Sequence, residues 1–178
     1  MKTSKSGRVI WLTGLSGAGK SSIAAELERI ILQQGNAAYI LDGDKVRCGL
    51  CSDLKFSPAD RKENVRRLGE VAKLFADAGI ICIVALISPY REDRQLARRL
   101  VSQGQFLEVY VNAPIEVCEQ RDPKGLYARA RAGEIKDFTG ISAPYESPEK
   151  PELELPTDRL TIAESVEKIL NYLATADK

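Results

Sequence analysis

Histidine is absent from this 178-residue chain. The absence removes the side chain that most often moves protons and binds metals near neutral pH, so any proton acceptor must be a carboxylate or another group. An excess of one charge is missing as well. The 26 basic residues stand against 25 acidic ones, for a net charge of +1. That balance gives no global attraction to nucleic acid or to an anionic membrane, and neither is expected as a partner. No run reaches the roughly 18 apolar residues that a bilayer span requires. The polar start over residues 1–7 leads directly into an apolar segment, which gives the expectation of no signal peptide and a cytoplasmic location. Cysteine is sparse: Cys48, Cys51, Cys82 and Cys118. Cys48 and Cys51 form C-x-x-C, but no second pair and no histidine completes a zinc site, and the flanking residues do not resemble a thioredoxin-type centre. Internal repeats and low-complexity segments are also lacking.

Against these absences, one motif stands complete. Residues 14–21 read Gly14-Leu15-Ser16-Gly17-Ala18-Gly19-Lys20-Ser21, the phosphate-binding pattern G-x-x-x-x-G-K-[ST]. Its glycines let backbone N–H groups turn inward onto phosphate oxygens. Lys20 can reach the β- and γ-phosphates, and the Ser21 hydroxyl can hold Mg²⁺. The pattern counts only between a strand and a helix. Arg8-Val9-Ile10-Trp11-Leu12-Thr13 before it is of strand type. After it, Ile23, Leu27, Ile30 and Ile31 recur at helical spacing, with Gly35 where a C-terminal cap belongs.

Strand-like and helix-like segments alternate through the rest. The expected fold is α/β: a P-loop NTPase fold with a doubly wound, mainly parallel five-stranded sheet, helices on both faces and a basic lid, in a single kinase domain over residues 1–178. Further strands are expected at residues 37–41, 80–87 and 106–111, with a fifth within 153–160. Ser57-Pro58-Ala59-Asp60 carries a cap serine, a first-position proline and an early acid, and opens a helix that stops near Gly79. Ser88-Pro89 is read as a second such opening, with a helix ending near Gly104. Thr161-Ile162-Ala163-Glu164 forms a capping box for a C-terminal helix. Residues 122–151 break the alternation. This basic, Gly- and Pro-containing excursion is read as a lid that closes over charged substrates.

The second strand ends in Leu41-Asp42-Gly43-Asp44, at the sheet edge where α/β proteins bind ligands. Two carboxylates therefore lie beside the phosphate loop. Asp42 is assigned to Mg²⁺, directly or through water. Asp44 is assigned to orienting or deprotonating an attacking hydroxyl, since no histidine is available. Arg47, Phe56, Arg61 and Asn64 follow. Arg61 and Asn64 share a helix face. Phe56 precedes the cap serine, but Arg61 stands at the position that would complete a hydrophobic staple, so the ring is left for another use. An aromatic beside two arginines suits a flat base bearing negative charge. A core role for Phe56 and solvated roles for the arginines remain equally open on pattern alone.

Together these residues resemble the adenylylsulfate kinases. The resemblance is carried by residues 11–21, by Leu41-Asp42-Gly43-Asp44 with Arg47, and by Asp60-Arg61-Lys62-Glu63-Asn64-Val65-Arg66-Arg67. It continues in Ile87-Ser88-Pro89-Tyr90-Arg91, in Cys118 to Tyr127, and in Ala130 to Lys136 with Phe138-Thr139-Gly140-Ile141. It implies transfer of the ATP γ-phosphate to the ribose 3′-hydroxyl of adenylyl sulfate, with Mg²⁺, in a homodimer. It implies that Gly14 to Ser21 hold ATP, with Arg121 and Leu160 toward its base. It also implies that Asp44, Arg47, Phe56, Arg61, Asn64, Ile87, Ser88, Lys124, Asp137 and Phe138 surround adenylyl sulfate, with Phe56 and Phe138 on either side of the adenine. The family's serine at position 88 has been assigned as a phosphorylated intermediate, but in-line transfer needs none, and direct transfer is the expectation. Cys48 stands where a histidine is common in the family, so no role of that histidine carries over. The alternatives are another small-molecule P-loop kinase or a nucleotide switch. An Asn-Lys-x-Asp base-recognition motif, expected of a GTPase switch, is absent from the chain.

Overall fold

A computed structural model describes residues 7–176. The polar start at 1–6 lies outside the described residues. Five strands form one sheet: β1 (Arg8–Thr13), β2 (Ala38–Asp42), β3 (Ile81–Ala85), β4 (Phe106–Asn112) and β5 (Leu153–Pro156). Their order is β2-β3-β1-β4-β5, and all four pairings are parallel. The chain leaves β1 for β2 on one side and later crosses to β4 on the other. The crevice at the carboxyl end of β1 is thus the switch point where such sheets bind ligands.

Alternation along the strands sends side chains to two cores. Ile10, Leu12, Ile83, Val109 and Leu155 pack with α1 (Lys20–Gln33) and α7 (Ile162–Ala176). Val9, Trp11, Cys82 and Val84 pack on the opposite face with α3 (Pro58–Asp77) and α4 (Arg91–Arg99). Each fully buried aliphatic side chain of this kind contributes about 1.5–3 kcal/mol. The remaining helices are the short α2 (Gly43–Arg47), α5 (Ile115–Arg121) and α6 (Leu126–Arg131).

Local signals account for most of the boundaries. Ser57 Oγ accepts the Asp60 N–H at 3.1 Å, and Pro58 occupies the first position of α3. Gly69 lets α4 come close: a Cβ there would lie 3.2 Å from the Ala97 Cβ. The Thr161 hydroxyl accepts the Glu164 N–H at 3.2 Å while Glu164 accepts the Thr161 N–H at 2.8 Å, completing the capping box.

Two expectations fail between residues 80 and 104. Ser88 does not cap a helix. Tyr90 stands at the N-cap, and α4 runs only from Arg91 to Arg99, short of Gly104. Ser88 instead adopts φ +41°, in the left-handed region. A cap residue needs extended backbone, which this conformation denies. The third strand likewise stops at Ala85 instead of Ile87, because residues 86–89 leave the sheet.

Candidate active site

The phosphate loop follows β1 and ends in α1. Gly14 has φ +151°, and a Cβ on it would fall 2.2 Å from the Val111 carbonyl oxygen. Gly17 has φ +76°, with the Cys118 carbonyl 2.9 Å from a Cβ. Only glycine fits at either place. Three side chains brace the loop from outside by donating to its carbonyls: Tyr127 Oη to Ser16 at 2.9 Å, Thr157 Oγ1 to Ala18 at 2.7 Å, and Arg121 Nη1 to Gly17 at 3.4 Å. Arg121 also donates to the Thr157 carbonyl at 2.6 Å.

Lys20 lies buried at the start of α1. Its Nζ donates to the carbonyls of Leu15 at 2.7 Å and Gly14 at 3.0 Å. Burial lowers its pKa to about 8. Ser21 Oγ donates to Asp42 Oδ2 at 2.7 Å, and Asp42 Oδ1 accepts the Asp44 N–H at 3.0 Å, capping α2. The Asp-Gly step therefore opens a helix. Asp42 fixes Asp44 through the backbone while presenting an oxygen beside Ser21. Two hard oxygen donors next to a phosphate loop match Mg²⁺, which takes one or two protein ligands and completes its shell with water and phosphate. Among the described residues no group of three or more His, Cys, Asp or Glu is placed to hold a metal ion, and Cys48 and Cys51 are free thiols.

Asp44 pairs with Lys124, at the start of the 122–151 segment. That segment returns over the cleft and is tied to α3 by Arg61. Three of the five guanidinium N–H groups of Arg61 are engaged: Nη1 with Thr139 Oγ1 at 2.8 Å, Nη2 with the Asp137 carbonyl at 2.7 Å, and Nε with the Phe56 carbonyl at 2.9 Å. Phe56 is 58% exposed, as its missing staple partner implies, and the Arg47 guanidinium sits 4.4 Å from its ring centroid. Phe138 is buried, with its ring edge-on to Tyr127 at 5.0 Å.

A single cleft of about 1120 Å³ gathers these groups. Of the expected residues, Ser16 to Ser21, Asp42, Asp44, Arg47, Phe56, Arg61, Asn64, Ile87, Ser88, Arg121, Lys124, Asp137, Phe138 and Leu160 all line it. Gly14 and Leu15 lie just behind, as partners of Lys20. One feature fits a bound acceptor, and a second sets the state of Ser88. Asn64 Oδ1 is buried with no hydrogen-bond donor among the described residues, a costly state unless a bound molecule donates to it. Ser88 is only 1% exposed. Its Oγ accepts from Trp11 Nε1 at 3.0 Å and donates to the Leu86 carbonyl at 3.3 Å.

The family model for adenylylsulphate kinase matches residues 6–156. The chain belongs to the adenylylsulphate kinase family. It is 59% identical over 166 residues to the adenylyl-sulfate kinase of Shewanella pealeana, covering 93% of this chain and 81% of that one. It is 57% identical over 165 residues to the probable adenylyl-sulfate kinase of Halalkalibacterium halodurans, covering 93% and 82%. Among solved structures, the Mycobacterium tuberculosis APS kinase in complex with AMPPNP and APS superposes with a TM-score of 0.91 at 51% identity, covering 94% of this chain and 98% of that one.

Sequence reasoning missed two of the three bracing residues of this kinase site. Tyr127 and Thr157 are distant in sequence from the loop carbonyls they hold, and nothing in their spacing marks them. Glu108 did carry a signal: an acid in the middle of the apolar strand β4 requires a buried partner.

Proposed function

We propose that this adenylylsulphate kinase moves the γ-phosphate of ATP onto the ribose 3′-hydroxyl of adenylyl sulfate, giving 3′-phosphoadenylyl sulfate and ADP. The observation that carries the reading is the shared cleft. The phosphate loop with Lys20 forms one end, the Phe56, Asn64 and Phe138 group forms the other, and Asp44 lines the same space.

In this reading residues 14–21 hold the triphosphate through backbone N–H groups. Lys20 leaves the loop carbonyls for the β- and γ-phosphate oxygens, and Arg121 and Leu160 flank the ATP base. Ser21 and Asp42 would hold Mg²⁺, which would neutralise phosphate charge when bound. Asp44 accepts or orients the 3′-hydroxyl proton. Lys124, paired with Asp44 in the structure, turns to the transferred group or to the acceptor's phosphosulfate. Arg47, Arg61, Asn64, Ile87, Asp137 and Phe138 seat the acceptor, with Phe56 and Phe138 bracketing its adenine. Transfer is direct. The Ser88 hydroxyl is buried and hydrogen-bonded both ways, which argues against a phosphoserine intermediate.

From the family resemblance we further infer a cytoplasmic homodimer. No described helix is long and apolar enough to cross a membrane, and sedimentation would decide between monomer and dimer. The activity is tested by ADP release with Mg²⁺-ATP and adenylyl sulfate, AMP, UMP, gluconate or shikimate. Turnover on adenylyl sulfate is expected. Turnover on another acceptor with none on adenylyl sulfate would overturn the assignment.

A further inference from the structure

The acceptor wall at residues 87–88 is held in an unfavourable shape. Ser88 adopts φ +41° immediately before Pro89. The left-handed region disfavours any residue with a Cβ, and a following proline pushes its predecessor toward extended backbone. Such a conformation persists only where the surroundings over-determine it.

The surroundings here converge on one guanidinium. Arg94, in the first turn of α4, donates from Nη1 to the Ser88 carbonyl at 2.6 Å, from Nη2 to the Glu146 carbonyl at 2.7 Å, and from Nε to Glu108 Oε1 at 2.7 Å. The side chains of Arg94 and Glu108 are only 1% and 4% exposed. Glu108 is fixed in turn on β4, and its N–H donates to Glu152 Oε2 at 2.7 Å. Beside Glu146, the Tyr145 hydroxyl meets Thr13 Oγ1 at 3.0 Å, and Thr13 donates to the Ile87 carbonyl at 2.7 Å. One buried cation therefore joins the wall that faces the acceptor, the chain returning from the 122–151 segment, and the sheet. None of its bonds reaches the phosphate loop.

We propose that Arg94, anchored by Glu108, is a positioning residue for the phosphate acceptor: it holds residues 87–88 in the strained conformation that the acceptor half of the cleft requires, and it leaves the ATP half alone. This rests on the acceptor-site reading above. A planar fork is needed, because a lysine ammonium cannot serve three acceptors spread across one plane.

The test uses Arg94→Lys, which keeps a charge beside Glu108, and the double variant Arg94→Met/Glu108→Met, which removes the buried pair together and so avoids an unpaired charge. Arg98→Met is the control. Arg98 contacts the same Glu108 and pairs with Glu152, but makes no contact with Ser88. Far-ultraviolet circular dichroism and thermal melts establish folding. In the folded Arg94 variants, kcat/KM for adenylyl sulfate should fall by about 10²-fold, the usual cost of a misplaced reacting group. Their Kd for a non-hydrolysable ATP analogue should stay within about twofold of wild type, as for an independent site. Arg98→Met should match wild type in both. Wild-type acceptor kinetics in the folded variants, or an equal loss of ATP-analogue affinity, would overturn the proposal. Wild-type enzyme that fails on adenylyl sulfate would instead overturn the acceptor assignment.

Discussion

Lys20 offers a test of the phosphate loop that needs no mutation. Burial lowers its pKa from the ordinary 10.5 to about 8. Its two hydrogen bonds to loop carbonyls, at 2.7 and 3.0 Å, do not offset the lost hydration. In the free enzyme the ammonium is therefore about one-tenth neutral at pH 7, one-half at pH 8 and nine-tenths at pH 9. Bound triphosphate places several negative oxygens against Nζ and returns the group to its charged form. ATP binding is then coupled to proton uptake: about 0.1 proton at pH 7 and about 0.5 at pH 8. Intrinsic affinity follows the charged fraction, so Kd weakens about tenfold from pH 7 to pH 9, roughly 1.4 kcal/mol. Stability carries the opposite sign. The unfolded chain holds more protons at this position between about pH 8 and 10.5, so the contribution of Lys20 to stability rises with pH across that window. The assay is titration calorimetry with a non-hydrolysable ATP analogue at pH 8, in buffers of different ionisation enthalpy. The slope of observed enthalpy against buffer enthalpy gives the protons taken up. A slope of zero at pH 8, with Kd flat to pH 9, would refute the argument that burial sets the charge of Lys20.

Two substitutions test the acceptor side. Asp44→Asn keeps the size of the side chain, and the backbone N–H by which Asp42 holds residue 44 is unchanged. Turnover should fall by on the order of 10²-fold or more while ATP-analogue binding persists, and near-wild-type kcat would remove Asp44 from the proton-transfer role. Ser88→Ala deletes the hydroxyl but leaves the carbonyl held by Arg94. Turnover within about tenfold of wild type is expected from the loss of the two buried hydrogen bonds to Trp11 and Leu86, and complete inactivity of the folded variant would revive the covalent intermediate.

Much of the architecture was legible because its causes are local. Strand β1 is bounded as its apolar run indicates, α3 begins where Ser57 and Pro58 set it, and α7 follows its capping box. The phosphate loop was legible because its glycines answer close backbone approaches that no other residue tolerates. The segment around Ser88 was misread for the opposite reason. Serine before proline has the local chemistry of a helix cap, and locally that is the favoured state. Trp11, Thr13 and Arg94, at sequence separations of 77, 74 and 6, impose another state on residues 87–88. Tertiary contacts outweighed propensity where the chain lines the cleft, as expected of a functional segment. Phe56 was open between core and ligand on pattern alone, and its exposure against Arg47 removes the core reading.

In the proposed reading the ATP half and the acceptor half of the cleft are built differently, and the difference bears on how acceptor choice is made. The ATP half is mostly backbone: glycine-shaped loop geometry with carbonyls tethered by Tyr127, Thr157 and Arg121. Backbone donors recognise phosphate whatever base or sugar it carries, so this half sets little specificity beyond the triphosphate. The acceptor half is mostly side chains drawn from distant segments, and Arg61 and Arg94 each fasten the returning 122–151 chain to it. Misplacing any of these segments alters the space offered to the acceptor without touching the phosphate loop. Substitutions on the acceptor side should therefore change which hydroxyl is phosphorylated, and how fast, before they change whether ATP is bound.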